Sequence, residues 1–154
     1  MNNIYMVHSF KSAYQFGKEQ EILCLDYVNK KFSNTYQRAK TYSHHDYRND
    51  DLKLDIELKS RKIVKSFDTT GFDLVKLIDG RRRMQQGLTE KVIYIFNYRK
   101  IKDCDIERDL WCWVDDGTEE IATGYSFHNN VGNPPVEQTI INVDDLIRLE
   151  DLEL

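Results

Sequence analysis

The sequence of 154 residues contains no long apolar run. No stretch approaches the roughly 20 apolar residues that a membrane-spanning helix needs. The first ten residues, Met1 to Phe10, also lack the basic start and apolar middle of a secretion signal. We therefore expect a cytoplasmic protein, or one in a host cytoplasm if its source is viral.

Cysteine is scarce, and its spacing excludes two common roles. The three cysteines, Cys24, Cys104 and Cys112, include no CxxC pair. An odd number without paired spacing argues against a disulfide framework and against a zinc site. Reduced, partly buried thiols are the expected state.

An excess of positive charge is missing as well. The formal net charge is −4, although charged residues make up 31% of the chain and hydrophobic residues 40%. This balance and length are typical of one folded domain, here residues 1–154. Proteins that bind nucleic acid mainly by neutralising phosphates are usually basic. If this chain binds nucleic acid, its positive charge must be local, or metal ions must supply part of it.

Hydrophobic periodicity predicts alternating helices and strands. The predicted order is a helix over Gln15–Phe32, strands over Thr35–Ser43 and Leu52–Lys59 around a turn at Arg48–Asp51, a helix over Phe72–Gln85 capped by Thr70, strands over Val92–Tyr98, Leu110–Val114 and Thr139–Val143, a loop over Gly124–Pro135, and a helical turn over Asp144–Leu149. This order indicates an α/β (α+β) domain with helices flanking a mixed central sheet.

The first helix carries an acidic residue on its apolar side. Glu21 shares a stripe with Cys24, Leu25, Val28 and Phe32, whereas Glu19 points nearly the opposite way. A buried carboxylate needs a partner. A salt bridge near the helix start is the simple explanation; a place in a functional site is the alternative. A second apolar stripe predicts wide burial of this helix, and it contains Phe16, Leu23 and Tyr27.

Glu57 and Lys59 lie two residues apart on one face of the best-defined strand. A carboxylate there can bind Mg²⁺, which prefers oxygen ligands. The ammonium group can orient or deprotonate a water, or stabilise charge that develops on a phosphate. A second carboxylate is needed from a neighbouring segment. Asp46 is our first candidate because the turn brings it alongside Glu57; the competitors are Asp50, Asp51 and Asp55.

These motifs resemble the PD-(D/E)xK nuclease superfamily, whose fold is restriction-endonuclease-like. The resemblance covers Gly17 to Tyr98 and rests on Asp46, the triplet Glu57-Leu58-Lys59 after a hairpin, and the order helix, hairpin, helix, strand. The segment Gly17-Lys18-Glu19-Gln20-Glu21 is similar to the GxxxE opening of the first helix in junction resolvases and related phage and restriction nucleases. His45 stands where the family has proline.

The resemblance implies an Mg²⁺- or Mn²⁺-dependent hydrolase that cleaves phosphodiester bonds, with DNA as the expected substrate and a homodimer as one option. It assigns catalysis to Glu57, Lys59, Asp46 and Glu21, and the metal to Asp46, Glu57 and Glu21. It leaves open DNA or RNA, endonuclease or exonuclease, and the preferred substrate structure.

Two basic runs are candidates for phosphate contacts. One consists of Arg61, Lys62 and Lys65, next to Lys59; the other consists of Arg81, Arg82 and Arg83, for which a solvated helix face is the simpler interpretation. His44 and His45 adjoin Asp46, where one of them could assist a metal or a phosphate, but a surface position is favoured over that role. Trp111 and Trp113 share one strand face, where a role in the core is favoured over base stacking.

Two other functions fit the same residues. One is a catalytically inactive protein of the nuclease fold that regulates by binding protein or nucleic acid, which the negative net charge favours. The other is an unrelated acidic α+β protein with solvent-facing carboxylates. A nuclease requires Glu21, Asp46 and Glu57 to converge near Lys59, whereas the alternatives do not.

Overall fold

The computed structural model describes residues 10–32, 36–38, 45–61, 65, 68–102, 105–126 and 134–153. These residues form a mixed α/β fold, as predicted. Its elements in chain order are α1 (Phe10–Phe32), β1 (Gln37–Arg38), β2 (Tyr47–Asn49), β3 (Leu54–Ser60), β4 (Thr69–Thr70), α2 (Leu74–Gln85), β5 (Lys91–Lys102), β6 (Asp105–Asp115), β7 (Ala122–Ser126), β8 (Val136–Asn142) and β9 (Ile147–Arg148), with two short 3-10 turns at Val143–Asp145 and Leu149–Asp151.

The central sheet has the strand order β1-β2-β3-β5-β6-β9 and is mixed. Strands β3 and β5 are parallel, and α2 lies in the connection between them. The other neighbouring strands in this sheet are antiparallel. A smaller sheet has the order β4-β8-β7. Within the described residues, no helix is long and apolar enough to cross a membrane.

Both faces of the central sheet are buried, because alternate residues of β3 and β5 point to opposite sides. We call these sides the α1 face and the α2 face. The α1 face packs residues of α1 against the sheet, with a core of Cys24, Val28, Tyr47, Leu54, Ile56, Leu58, Ile93, Ile95 and Cys112. The α2 face has a core of Phe72, Leu77, Val92, Tyr94, Phe96, Trp113 and Ile141. Glu57 follows Ile56 and pairs with Tyr94, and it therefore belongs to the α2 face.

Gly80 allows α2 to approach the sheet closely. A Cβ atom at this position would lie 3.1 Å from Val92 Cγ2 and 3.2 Å from the Tyr94 hydroxyl. Phe72, just before the helix, stacks on Tyr94 with ring centroids 3.8 Å apart. This close packing explains a glycine in the middle of a helix, where glycine is otherwise unfavourable.

Several element boundaries differ from the predictions. Arg48 and Asn49 belong to β2, and the turn lies over residues 50–53. The turn was placed too early because Tyr47 is the only apolar residue in β2, which leaves no alternating pattern to detect. Asp73, not Thr70, precedes α2; its carboxylate makes no capping bond and accepts a hydrogen bond from Gln138.

The second apolar stripe of α1 is not buried as predicted. Leu23 is 68% exposed and Tyr27 39% exposed, because the sheet covers the side of α1 that carries Cys24 and Val28. The predicted loop begins later, since Gly124 lies in β7. The chain ends in two 3-10 turns around β9. Cys24 and Cys112 are buried free thiols, as expected, and Cys104 lies outside the described residues.

Candidate active site

Glu57 is a carboxylate buried in the middle of β3. It is 3% exposed, and it lies between the sheet and α2. Burial raises the pKa of Glu57 to about 8, and the charge of Asp46 contributes to the same rise. A carboxyl group of this kind holds its proton at neutral pH unless a cation compensates its charge.

Asp46 lies beside Glu57 through the pairing of β2 with β3. Tyr47 is opposite Ile56 in the antiparallel register, and Asp46 Oδ2 accepts a hydrogen bond of 2.8 Å from the Leu58 amide. The hairpin therefore brings Asp46 to the centre of β3, as predicted from the turn in the sequence. Of its competitors, Asp50 and Asp51 are exposed in the turn.

Two ammonium groups act on Glu57. The charges of Lys76 and Lys59 both lower the pKa of Glu57, against the larger effect of burial. Lys59 follows on the same strand face. Lys76 Nζ, from α2, lies 3.4 Å from Glu57 Oε1. The second oxygen, Oε2, is buried and has no hydrogen-bond partner among the described residues. One oxygen of Glu57 is thus held in place, and the other is left without a compensating group.

Lys76 was not among the residues that the sequence pattern assigned to the site. Its signal was present in the helix phase, because Phe72, Lys76 and Gly80 recur every fourth residue and so share one side of α2. Arg83 continues this stripe. A charged residue on the side of a helix that packs on a sheet is expected to reach a buried partner.

A buried ion-pair network supports the site from the neighbouring position of β3. Asp55 is 1% exposed, and it accepts hydrogen bonds from Arg83 Nε at 2.7 Å and His45 Nδ1 at 2.9 Å. Burial alone would raise the pKa of Asp55, but these hydrogen bonds lower it below its ordinary value. Asp55 is therefore committed to a structural network and is the weaker candidate for metal binding.

The structure does not bring Glu21 to Glu57. The Glu21 carboxylate pairs with Lys18 Nζ at 3.3 Å, and α1 packs on the opposite side of the sheet from Glu57. The predicted stripe of α1 is correct, since Cys24 and Val28 are buried and Glu19 is exposed. The phase of one helix cannot show which face of the sheet that helix covers, and this is why the expected convergence failed.

The three consecutive arginines of α2 have separate environments. Arg83 is buried and bound to Asp55. Arg81 forms two hydrogen bonds to the buried Asp115, at 3.0 and 3.2 Å. The Arg82 side chain is 59% exposed and pairs with Asp79. The expectation of a phosphate contact from Arg83 is therefore wrong, since its guanidinium is enclosed; Arg82 is the most accessible of the three.

The other basic run is also partly engaged. Arg61 donates a hydrogen bond of 2.8 Å to the Gly71 carbonyl. Lys65 Nζ lies 4.1 Å from the centroid of the Trp111 ring. Trp111 and Trp113 pack in the core of the α2 face, Trp111 only in part. Lys62 and His44 lie outside the described residues.

Asp46 and Glu57 are the two carboxylates with which a cation site can be built. Among the described residues, no three His, Cys, Asp or Glu side chains form a group that could hold a metal. Mg²⁺ commonly needs only one or two carboxylates, because waters and substrate phosphates complete its shell. The unpartnered Glu57 Oε2 beside Asp46 fits that donor set. No family model, curated protein or solved structure matches the chain.

Proposed function

We propose that the protein is a metal-dependent nuclease of the PD-(D/E)xK type, in which Asp46 and Glu57 bind Mg²⁺ or Mn²⁺ and Lys59 acts on the phosphodiester, with DNA as the expected substrate. One observation carries the proposal. A buried glutamate has an unpartnered oxygen and a raised pKa, and a second carboxylate and two lysines act on it.

The order of elements supports the proposal. The resemblance implies a helix, a hairpin that ends in the acidic-x-Lys strand, a second helix and a buried strand. The chain has α1, the β2–β3 hairpin, α2 and then β5, which is parallel to β3. Glu57 and Lys59 lie on an inner strand of the sheet, with β2 and β5 on either side.

Each residue of the proposed site has a distinct role. The divalent cation would polarise a phosphoryl oxygen and offset its charge. Asp46 and Glu57 supply its carboxylate ligands, and Glu57 must first lose the proton that its raised pKa retains. Lys59 orients the attacking water and stabilises the negative charge that develops on the phosphate. Lys76 positions Glu57 through Oε1.

The test is a cleavage assay with purified protein. Labelled linear, branched and single-stranded DNA, together with RNA, are incubated with Mg²⁺, Mn²⁺ or EDTA. The proposal expects cleavage of at least one substrate with either cation and none in EDTA. Undiminished cleavage in EDTA would remove the metal mechanism. Absence of cleavage from well-folded protein would remove the nuclease function.

A second candidate is a catalytically inactive regulator of the same fold. The ion pair between Lys76 and Glu57 favours it, because a lysine already occupies one side of the would-be metal ligand. The net charge of −4 is also suited to a protein that binds other proteins. For an inactive regulator, we expect no cleavage and no change in melting temperature when Mn²⁺ is added. For a nuclease, we expect cleavage and a higher melting temperature with Mn²⁺.

A further inference from the structure

Two arginines face each other across β5 and β6 on the opposite side of the sheet from Glu57. Arg99 pairs directly with Arg108 in the antiparallel register. Arg99 lies on the same side of β5 as Ile95 and Asn97, and Arg108 lies on the same side of β6 as Leu110. Both arginines therefore belong to the α1 face. Like charges at directly opposed positions destabilise a sheet. Such a pair therefore needs a compensating group.

The described residues provide no carboxylate for this pair. Arg108 donates from Nε to Asn97 Oδ1 at 2.6 Å, and from one terminal nitrogen to the carbonyls of Asn97 and Arg61 at 2.8 and 3.2 Å. All three acceptors are neutral. Burial lowers the pKa of Arg108, and the charge of Arg99 lowers it further. The second terminal nitrogen of Arg108 makes no hydrogen bond within the part of the chain that the structure describes.

Arg99 supplies the second observation. Its Nε is buried and has no hydrogen-bond partner within the described parts of the chain. A buried N–H donor without an acceptor is costly, and a guanidinium presents its donors in a rigid fork that matches an oxyanion. Arg99 and Arg108 are both only partly buried, so an anion can approach the exposed parts of their side chains from solvent, although Arg99 Nε itself is enclosed.

The arginine network is anchored by buried hydrogen bonds. The Asn97 side chain is buried, and its Nδ2 donates to Gln20 Oε1 at 3.0 Å and to Ser60 Oγ at 2.9 Å. This joins α1, β3 and β5 directly beneath Arg108. The Arg108 guanidinium also lies 5.7 Å from the centroid of the Phe16 ring. A site that is held in place before its ligand arrives loses less entropy on binding.

We propose that Arg99 and Arg108 bind a phosphate group of a nucleic-acid strand, away from the bond that is cleaved. The proposal rests on the nuclease function in taking the anion to be the strand's backbone. Arg61, whose carbonyl Arg108 binds, is four residues beyond Glu57 on the chain, roughly 13 Å along an extended strand. A single strand that passes around this end of the sheet can reach both positions.

The test measures binding separately from cleavage. A fluorescein-labelled single-stranded oligonucleotide is titrated in Ca²⁺ at several salt concentrations, and anisotropy is recorded for the wild type, Arg99→Gln, Arg108→Lys and Lys30→Gln. Loss of one phosphate contact reduces the slope of log affinity against log salt by about 0.7 for a single strand. We expect this change and several-fold weaker binding for Arg99→Gln. Lys30→Gln is the control, because it also removes one positive charge and Lys30 is exposed on α1 without a role in either proposed site.

Arg108→Lys keeps the charge but not the fork, so it should bind between the wild type and Arg99→Gln. Because Arg108 also anchors Asn97, Arg99→Gln decides the test. Wild-type affinity and slope in Arg99→Gln would overturn the proposal, as would an equal loss in Lys30→Gln. If the oligonucleotide binds the wild type more tightly than Arg99→Gln but is never cleaved, the nuclease function is contradicted and the arginine site is still supported.

A second arm separates the sources of the anion. Melting temperatures are compared in sodium phosphate and sodium chloride at equal ionic strength. If phosphate stabilises the wild type but not Arg99→Gln, and the oligonucleotide does not bind, the site takes a free phosphate and the nucleic-acid assignment is overturned. Arg99-dependent binding of the oligonucleotide supports the assignment.

Discussion

Glu57 and Lys59 lie two residues apart on β3, yet the structure gives them different surroundings. Glu57 is buried, whereas Lys59 is half-buried and its side chain makes no hydrogen bond to any other described residue. Asp46 and Lys76 act on Glu57 directly. The division of roles follows from this difference: a buried carboxylate suits a cation ligand, and an accessible ammonium suits contact with substrate.

Substitution of Lys59 tests this division. Lys59→Ala should lower the single-turnover cleavage rate by about 100- to 1,000-fold, the usual cost of removing one contact to developing charge. Substrate affinity and Mn²⁺ affinity should change little, because the contact strengthens only as the phosphate gains charge. Rates are measured by single-turnover assay and Mn²⁺ affinity by calorimetry.

Lys53→Ala is the matched control, since Lys53 is exposed in the turn before β3. Normal cleavage by Lys59→Ala, or equal damage from Lys53→Ala, would contradict the assignment of Glu57-Leu58-Lys59. Asp51-Leu52-Lys53 would then be the triplet to test.

The raised pKa of Glu57 predicts a pH-dependent stability in metal-free protein. The pKa of Glu57 in the folded state is about 8, above the ordinary glutamate value of 4.5. The folded state therefore holds a proton that the unfolded state releases as pH rises between these values, and each unit of difference is worth about 1.4 kcal/mol. This contribution is fully present below pH 4.5 and is lost as pH rises through about 8.

In EDTA, the wild type should thus lose stability between pH 5 and pH 8 more steeply than Glu57→Gln, which cannot ionise. Urea denaturation at a series of pH values measures the difference. Parallel stability curves for the two proteins would show that Glu57 ionises normally and would remove the argument for a desolvated ligand.

Between elements, the strongest polar connection joins β3 to α2. Asp55 on β3 and Arg83 on α2 are both buried, and His45 adds a third partner. Removal of one member leaves an uncompensated buried charge. This network fixes the position of α2, and through it Lys76, relative to the proposed site.

Arg83→Met should therefore destabilise the protein by about 3–5 kcal/mol. Arg82→Met, one residue away and exposed, should change stability by no more than about 0.5 kcal/mol. Chemical denaturation measures both. Equal values for the two variants would mean that the Asp55–Arg83 pair does not hold α2 on the sheet.

Glu21 gives a prediction that separates the structure from the sequence pattern. The pattern assigned Glu21 to catalysis, whereas the structure pairs it with Lys18 on the α1 face. Glu21→Gln should leave the cleavage rate within about twofold of the wild type, because Glu21 lies on the opposite face of the sheet from Glu57 and makes no contact that strengthens in the transition state. Cleavage assays under saturating Mg²⁺ measure the rate. A large loss of activity would show that Glu21 takes part in catalysis, as the sequence pattern predicted.

At the scale of the whole molecule, periodicity predicted the elements better than their arrangement. The alternation in β3 and the apolar run of β5 were readable because packing on the sheet imposes those patterns. The pairing of Asp46 with Glu57 followed from chain reversal alone. The positions of Glu21, Lys76 and Arg83 did not, since they depend on which face of the sheet each helix covers.

The net charge of −4 leads to a final prediction for the whole protein. Without a cation, the Asp46 carboxylate at the proposed site repels a phosphate backbone, so nucleic-acid affinity should depend on a divalent cation that reverses the charge of the site. We expect single-stranded DNA to bind about tenfold more tightly in Ca²⁺ than in EDTA at equal ionic strength, a difference of about 1.4 kcal/mol. Fluorescence anisotropy gives both affinities.

The comparison is then repeated with Asp46→Asn and with Asp79→Asn. Asp46 belongs to the proposed cation site, whereas Asp79 pairs with Arg82 on α2. Asp46→Asn should reduce the difference between Ca²⁺ and EDTA, because it removes both a cation ligand and a source of repulsion. Asp79→Asn should preserve the full difference. If the wild type binds equally well in EDTA, the cation does not help to hold the strand, and the positive charge must come from basic side chains alone.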